Sequence, residues 1–130
     1  MTAGDPDSQP FWEGVRAGEL RLPSCDACGQ PHFPPMPACP GCGATTLTWA
    51  RFDGDGQVYS WVRVHRALSG EPAWELPYTI AVVQLRAGPR VLAVAADIAG
   101  TVRIGDPVRV EPVAGPLRPH LRLRPEEGAA

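Results

Sequence analysis

The chain has 130 residues, 44% of them hydrophobic and 20% charged, with a net charge of −2. That balance fits one domain, or one small module joined to a second, and argues against a generic polyanion binder. No apolar run approaches the roughly 18 residues of a membrane-spanning helix. All twelve basic residues are Arg, which fits either a GC-rich coding bias or the use of guanidinium forks for phosphates and carboxylates. With 14 Gly and 16 Pro the chain lies just below the share of about 25–30% that marks low complexity, so it reads as turn-rich but folded. The start, MTAGDPDSQP, lacks the basic and apolar regions of a secretion signal, and a cytoplasmic location with reduced thiols is expected.

Residues 1–7 are polar and expected to be disordered. From Ser8 the pattern predicts a short amphipathic helix: Ser8 at the cap, Pro10 in the first turn, Phe11, Trp12 and Val15 on one face, and Gly18 as the stop. Two turns are marginal alone, so Phe11 and Trp12 must pack on the chain itself or on a partner. After a cysteine-bearing segment, TTLTWARF (45–52) reads as a strand. QVYSWVRVHRAL (57–68), PYTIAVVQL (77–85), RVLAVAAD (90–97) and DPVRVEPV (106–113) read as four more. DGDG (53–56), expected as a hairpin turn, RAGPR (86–90) and RIGDP (103–107) supply the reversals. Short strands at this spacing predict a small closed or nearly closed barrel. In the tail, Leu117, Leu121 and Leu123 alternate with Arg118, His120, Arg122 and Arg124, which predicts an edge strand with a basic outer face.

All four cysteines lie in SCDACGQPHFPPMPACPGCGA (24–44), as two CxxCG pairs with ten residues between Cys28 and Cys39. A CxxC turn brings two thiolates to one ion, and the Gly after each pair lets the backbone direct amides at the sulfurs. Two such turns complete a tetrahedron, so Cys25, Cys28, Cys39 and Cys42 are the expected ligands of a zinc ribbon. Four cysteines close the shell, which makes the metal structural rather than catalytic. His32, between the pairs, reads as a solvated bystander. Redox CxxC pairs or disulfides would need a thioredoxin-like βαβ context that is missing, and iron in place of zinc remains open.

Elsewhere the residues give no independent sign of a catalytic centre. His65 and His120 have no Ser or Cys nucleophile beside them, DGDG lacks the later acid of a calcium loop, and no phosphate loop opens a helix. On strand 58–66, strict alternation puts Tyr59, Trp61, Arg63 and His65 on one face and Val58, Ser60, Val62, Val64 and Arg66 on the other. Aromatics beside Arg suit stacked bases, whereas Tyr59 and Trp61 against protein is the plainer outcome.

FWEGVRAGELRL, CDACGQPHFPP, CPGCG, GDGQVYSWVRVHRA, PYTIAVVQL and VRIGDPVRV occur in that order over about residues 10–113. The ordered set resembles a family of small zinc-ribbon plus OB-fold proteins associated with acyl-CoA enzymes. The resemblance implies a mainly β chain: a helical hairpin or a single short N-terminal helix (segment 1–19), a rubredoxin-like four-cysteine zinc ribbon (20–50) and a five-stranded OB-fold barrel (51–115), to which the residue pattern adds the C-terminal edge strand and tail (116–130). It implies a non-catalytic accessory subunit of a thiolase-superfamily enzyme (a thiolase, an acyltransferase, or a lipid-transfer-protein-like aldolase of steroid side-chain breakdown), with structural Zn2+ and no catalytic residues of its own. Some relatives are fused to a hydratase-like hotdog domain. The partner would act on acyl-CoA, and the accessory chain would stabilise it, bridge it to a second enzyme, or help hold the CoA.

On that expectation Phe11, Trp12, Tyr59 and Trp61 are the candidate partner anchors, since aromatics dominate hot spots. Arg118, Arg122 and Arg124 are candidate contacts to CoA phosphates. Two departures stand out: Met36 follows the FPP run where many relatives have Arg, and the tail after Val113 matches the family poorly. The alternative is a single-stranded nucleic-acid binder, which the fold permits but the acidic net charge does not favour. A third reading is a small iron redox protein.

Overall fold

Helix α1 (Gln9–Arg16) follows a 3-10 turn at Pro6–Ser8 and packs its Phe11, Gly14 and Val15 inward. The computed structural model describes residues 6–66, 74–95, 102–115 and 119–125, so the expected disorder of residues 1–5 lies outside what is described. Pro6 and Asp7, also expected to be disordered, belong to that turn. Ser8 occupies the N-cap position without a side-chain cap hydrogen bond, and Pro10 sits in the first turn. The fixed φ of Pro10 thus favours the helix start where the hydroxyl does not. Burial of Phe11 and Val15 contributes about 1.5–3 kcal/mol each, enough to hold a helix of two turns.

Strands β1 (Leu20–Cys25) and β2 (Leu47–Phe52) form an antiparallel pair, with Leu20 opposite Phe52 and Cys25 opposite Leu47. The cysteine segment is the long connection between them. Leu20 and Leu22 of β1 join Phe11 and Val15 in one apolar cluster that continues into the barrel.

Five strands close the barrel: β3 (Asp55–Val64), β4 (Tyr78–Leu85), β5 (Arg90–Ala95), β6 (Pro107–Val113) and β7 (His120–Pro125), in the order β3-β4-β5-β7-β6. The interior is filled by alternate small aliphatics such as Val58, Val83, Leu85, Val91, Val110 and Leu123. The expected mainly β architecture, with one short helix, a four-cysteine ribbon and a five-stranded OB-fold barrel, is the one observed.

Two local expectations are corrected. The tail strand is not an edge: β7 lies between β5 and β6, parallel to β5 at Val94 and Arg122 and antiparallel to β6 from Val108–Pro125 to Val113–His120. Leu121 and Leu123 are buried in the closed interior, and their alternation reports that burial. Nor is DGDG a hairpin, because β2 and β3 belong to different sheets. Asp53 and Gly54 carry the chain from ribbon to barrel, and Gly54 accepts a 2.9 Å hydrogen bond from the Val110 amide. A Cβ at Gly54 would collide with the Val110 carbonyl, so this glycine is required for backbone contact.

Candidate metal centre and the outer barrel face

The two cysteine turns repeat one geometry. Gly29 N–H donates to the Cys25 carbonyl at 2.8 Å and Cys25 N–H to that of Gln30 at 3.0 Å. Gly43 N–H donates to the Cys39 carbonyl at 2.9 Å and Cys39 N–H to that of Ala44 at 2.7 Å. Gly29 and Gly43 have φ of 78° and 80°, the left-handed conformation that a side chain resists. The two CxxCG repeats therefore encode two equivalent knuckles.

The knuckles bring four Sγ atoms within 4.8 Å of one another. Cys25 and Cys42 sulfurs are 3.5 Å apart, and those of Cys28 and Cys39 are 3.7 Å apart. A Zn–S length of about 2.3 Å gives a tetrahedral edge of about 3.8 Å, so the donor set fits zinc. Amides support the sulfurs: Cys28 N–H approaches Cys25 Sγ at 3.5 Å, and Gly41 N–H approaches Cys39 Sγ at 3.3 Å. The Cys28 amide is the main cause that holds the Cys25 thiol down to about 7, and that of Cys42 the main cause that lowers Cys39. Cys25 and Cys39 are buried while Cys28 and Cys42 are exposed. Four protein donors leave no open position for a reacting water, the arrangement of a structural zinc site.

His32 is not the solvated bystander expected from its loop position. It is only 5% exposed, its amide donates to the Pro23 carbonyl at 2.9 Å, and neither ring nitrogen has a hydrogen-bond partner. The neighbouring Phe33 ring lies 5.0 Å from that of Phe11. The loop between the knuckles thus turns inward onto α1.

The expected anchors separate. Phe11 is buried in the core cluster, with Trp12 partly buried and edge-on to it at 4.9 Å, so Phe11 is taken up by the chain itself. Tyr59 and Trp61 do not share a face. A register shift between Val58 and Ser60 makes Tyr59 the extra residue of a β-bulge. Beyond the bulge Trp61 stands opposite Ala81, an interior position, and Arg63 opposite Thr79, to whose Oγ1 it donates at 3.1 Å. Tyr59 remains outside, with the Arg90 guanidinium 3.8 Å from its ring centre. Exposure is 48% at Tyr59 and 39% at Trp61.

The same bulge turns Val62 outward, opposite Ile80. Val62 is 59% exposed and Leu92, opposite Val82, is 63% exposed. Sequence reasoning missed both. Val62 was misassigned because a bulge inverts alternation, whereas Leu92 had a signal: RVLAVA and YTIAVV are apolar at odd and even positions alike, the pattern of strands covered on both faces.

Of the candidate phosphate contacts, Arg118 lies outside the described residues. Arg122 and Arg124 do project from the outer side of β7, but both reach Glu111, at 2.9 Å and 3.3 Å. The hydrogen bond from Arg122, then the charge of Arg124, hold the Glu111 carboxyl below its usual range. The basic face is therefore partly neutralised within the barrel. No helix among the described residues is long and apolar enough to cross a membrane.

Helix, four-cysteine ribbon and closed five-stranded barrel, in that order, define a zinc-ribbon plus OB-fold protein. Residues 12–48 match the family model described as the ChsH2 rubredoxin-like zinc ribbon domain, and residues 49–112 the one described as the ChsH2 C-terminal OB-fold domain. The chain belongs to the ChsH2 (DUF35) family. It is 37% identical over 100 residues to the probable enoyl-CoA hydratase alpha subunit of Thermomonospora curvata, covering 75% of this chain and 31% of that protein. It is 36% identical over 104 residues to the 3-oxo-4,17-pregnadiene-20-carboxyl-CoA hydratase alpha subunit of Mycobacterium tuberculosis, covering 80% and 30%. A DUF35 domain-containing scaffold protein of Pyrococcus furiosus is 41% identical over 66 residues, 51% of this chain and 48% of that one. The chain thus spans from under a third to about half of the length of these curated relatives. Among solved structures, a chain of the Ltp2-ChsH2(DUF35) aldolase superposes with a TM-score of 0.81 at 32% identity, over 96% of this chain and 98% of that one. A DUF35-family protein of unknown function from Sulfolobus solfataricus shares the fold, with a TM-score of 0.64 at 18% identity over 93% and 86% of the two chains.

Proposed function

We propose that this chain is a non-catalytic accessory subunit that binds and supports a thiolase-superfamily enzyme acting on acyl-CoA substrates, with a lipid-transfer-protein-like steroid side-chain aldolase as the best-supported partner. The observation that carries this reading is the near end-to-end correspondence, at a TM-score of 0.81, with a chain of the Ltp2-ChsH2(DUF35) aldolase. The relatives described as scaffold proteins and as a subunit of a steroid-type acyl-CoA hydratase support the same direction. In this reading the partner supplies the reacting groups, the complex works in the cytoplasm, and the accessory chain supplies a rigid surface. Zinc, when bound, ties the two knuckles together and performs no chemistry on substrate.

Trp12, Tyr59 and Trp61 remain candidate contacts to the partner. A contact between CoA phosphates and Arg122 or Arg124 would have to compete with Glu111. The test is an assay of retro-aldol cleavage of a steroid side-chain β-hydroxyacyl-CoA by the chain alone, by a lipid-transfer-protein-like aldolase alone, and by the two together. The reading predicts no turnover by this chain alone and a rise in aldolase activity or lifetime on mixing. Turnover by the isolated chain, or an aldolase indifferent to its presence, would contradict it.

A further inference from the structure

Strands β4 and β5 are apolar on both sides. Their inward residues, among them Ala81, Val83, Val91 and Ala93, fill the barrel, while Ile80, Val82, Leu92 and Val94 point outward. Val62, turned out by the bulge, extends the outward set across β3. Leu92 and Val62 are more than half exposed and the other three only partly covered. Contiguous aliphatic surface of this kind on a barrel wall marks a site of association.

Charge decides what the face will accept. From Tyr59 to Val64, and throughout β4 and β5, there is no carboxylate. The one charged group on the outer side of β4 and β5 is Arg90, held in place by the Tyr59 ring and by a 2.8 Å hydrogen bond to Gln84 Oε1. Along the β5–β7 border stand Arg122 and Arg124, with Glu111 as their shared acid. The wall is thus an aliphatic centre with a cationic rim on a chain whose net charge is −2.

A second copy of the same face would set Arg90 against Arg90 with no carboxylate on β4 or β5 to receive it, so a two-fold pairing is disfavoured. Single-stranded nucleic acid stacks on aromatic rings, and the centre here is Val, Ile and Leu. We infer that the outer face of β3-β4-β5, centred on Val62 and Leu92 with Arg90 at its rim, docks on the partner enzyme through an apolar patch edged by carboxylates. This inference rests on the accessory-subunit reading and gives it a location.

The experiment uses the full chain co-expressed with the lipid-transfer-protein-like aldolase, with complex formation read by size exclusion with light scattering and by titration. Val62→Glu and Leu92→Glu are surface substitutions, and unchanged zinc content and thermal midpoint check that each variant folds. Each is expected to weaken association by about 30-fold or more, the loss typical of a hot-spot position. Arg90→Glu is expected to weaken it by about tenfold and to reduce its salt dependence. Ile104→Glu, at a still more exposed apolar position on the turn before β6, is expected to bind as the parent does.

Parent-like association of both Val62→Glu and Leu92→Glu would overturn the docking face while leaving the accessory reading intact. Failure of the parent chain to associate would remove that reading, and this inference with it. A parent chain that dimerises alone and becomes monomeric on Leu92→Glu would assign the face to a second copy. Leu92-dependent binding to phosphatidylserine–phosphatidylcholine vesicles would assign it to lipid, and either result overturns the inference.

Discussion

Between Asp26 and Thr46 the ribbon buries only His32 and Cys39, whereas β4, β5, β6 and β7 each bury two or more aliphatic side chains, and β3 buries Val58, in a closed interior. The ribbon segment is ordered by local turns and four sulfurs, the barrel by apolar area removed from water. The two are joined by Leu20 and Leu22 of β1, which belong to the barrel's apolar cluster while Cys25 at the end of the same strand belongs to the metal site. A single strand thus couples two modes of stabilisation. The difference teaches that the regions should fail separately, with β1 as the boundary.

The largest effect should follow removal of the metal or of one sulfur. Structural zinc sites carry apparent binding free energies of about 10–16 kcal/mol, so Cys39→Ser or a strong chelator should abolish zinc retention and hydrogen-exchange protection from Asp26 to Thr46. Protection in β4, β5 and β7 should survive. Simultaneous loss in both regions would show that the barrel, too, depends on the metal.

Next comes the converse. Leu123→Ala empties a fully buried position and should lower stability by about 2–5 kcal/mol, read as a fall in the denaturant midpoint, with one zinc per chain still bound under native conditions. Gly54→Ala tests the joint between the regions: its Cβ meets the Val110 carbonyl, and the forced shift should cost about 1–3 kcal/mol, measured by thermal denaturation.

The smallest effect belongs to Glu111. Its carboxyl is held low by the Arg122 hydrogen bond and then by Arg124. The sign follows from linkage: the contribution is fully present above the ordinary Glu range and is lost as pH falls through the lowered folded value. Because Glu111 is 36% exposed, Glu111→Gln should cost less than about 1 kcal/mol at neutral pH. The parent and variant stability curves should converge in acid.

How far each region was legible in the sequence follows the same division. The metal site is local: two CxxCG repeats specify ligands, turn shape and the left-handed glycines within a few residues each. The strands and the barrel were also legible, from alternation and turn residues. What escaped depends on partners distant in sequence. The bulge at Tyr59 exists because β3 pairs with β4 in a shifted register, and it sets Trp61 opposite Ala81 and turns Val62 outward. The place of β7 depends on one parallel bridge from Val94 to Arg122, which no local pattern announces. Burial of His32 follows from the packing of Phe33 on Phe11, a contact across the whole ribbon.

The most direct measurement of the central claim is recovery of the tagged chain from its source cells at moderate salt, followed by native mass spectrometry of the intact assembly. The account predicts a thiolase-superfamily enzyme in fixed ratio with this chain and one zinc per copy. Recovery of the chain alone, or with RNA or DNA in place of such an enzyme, would contradict it.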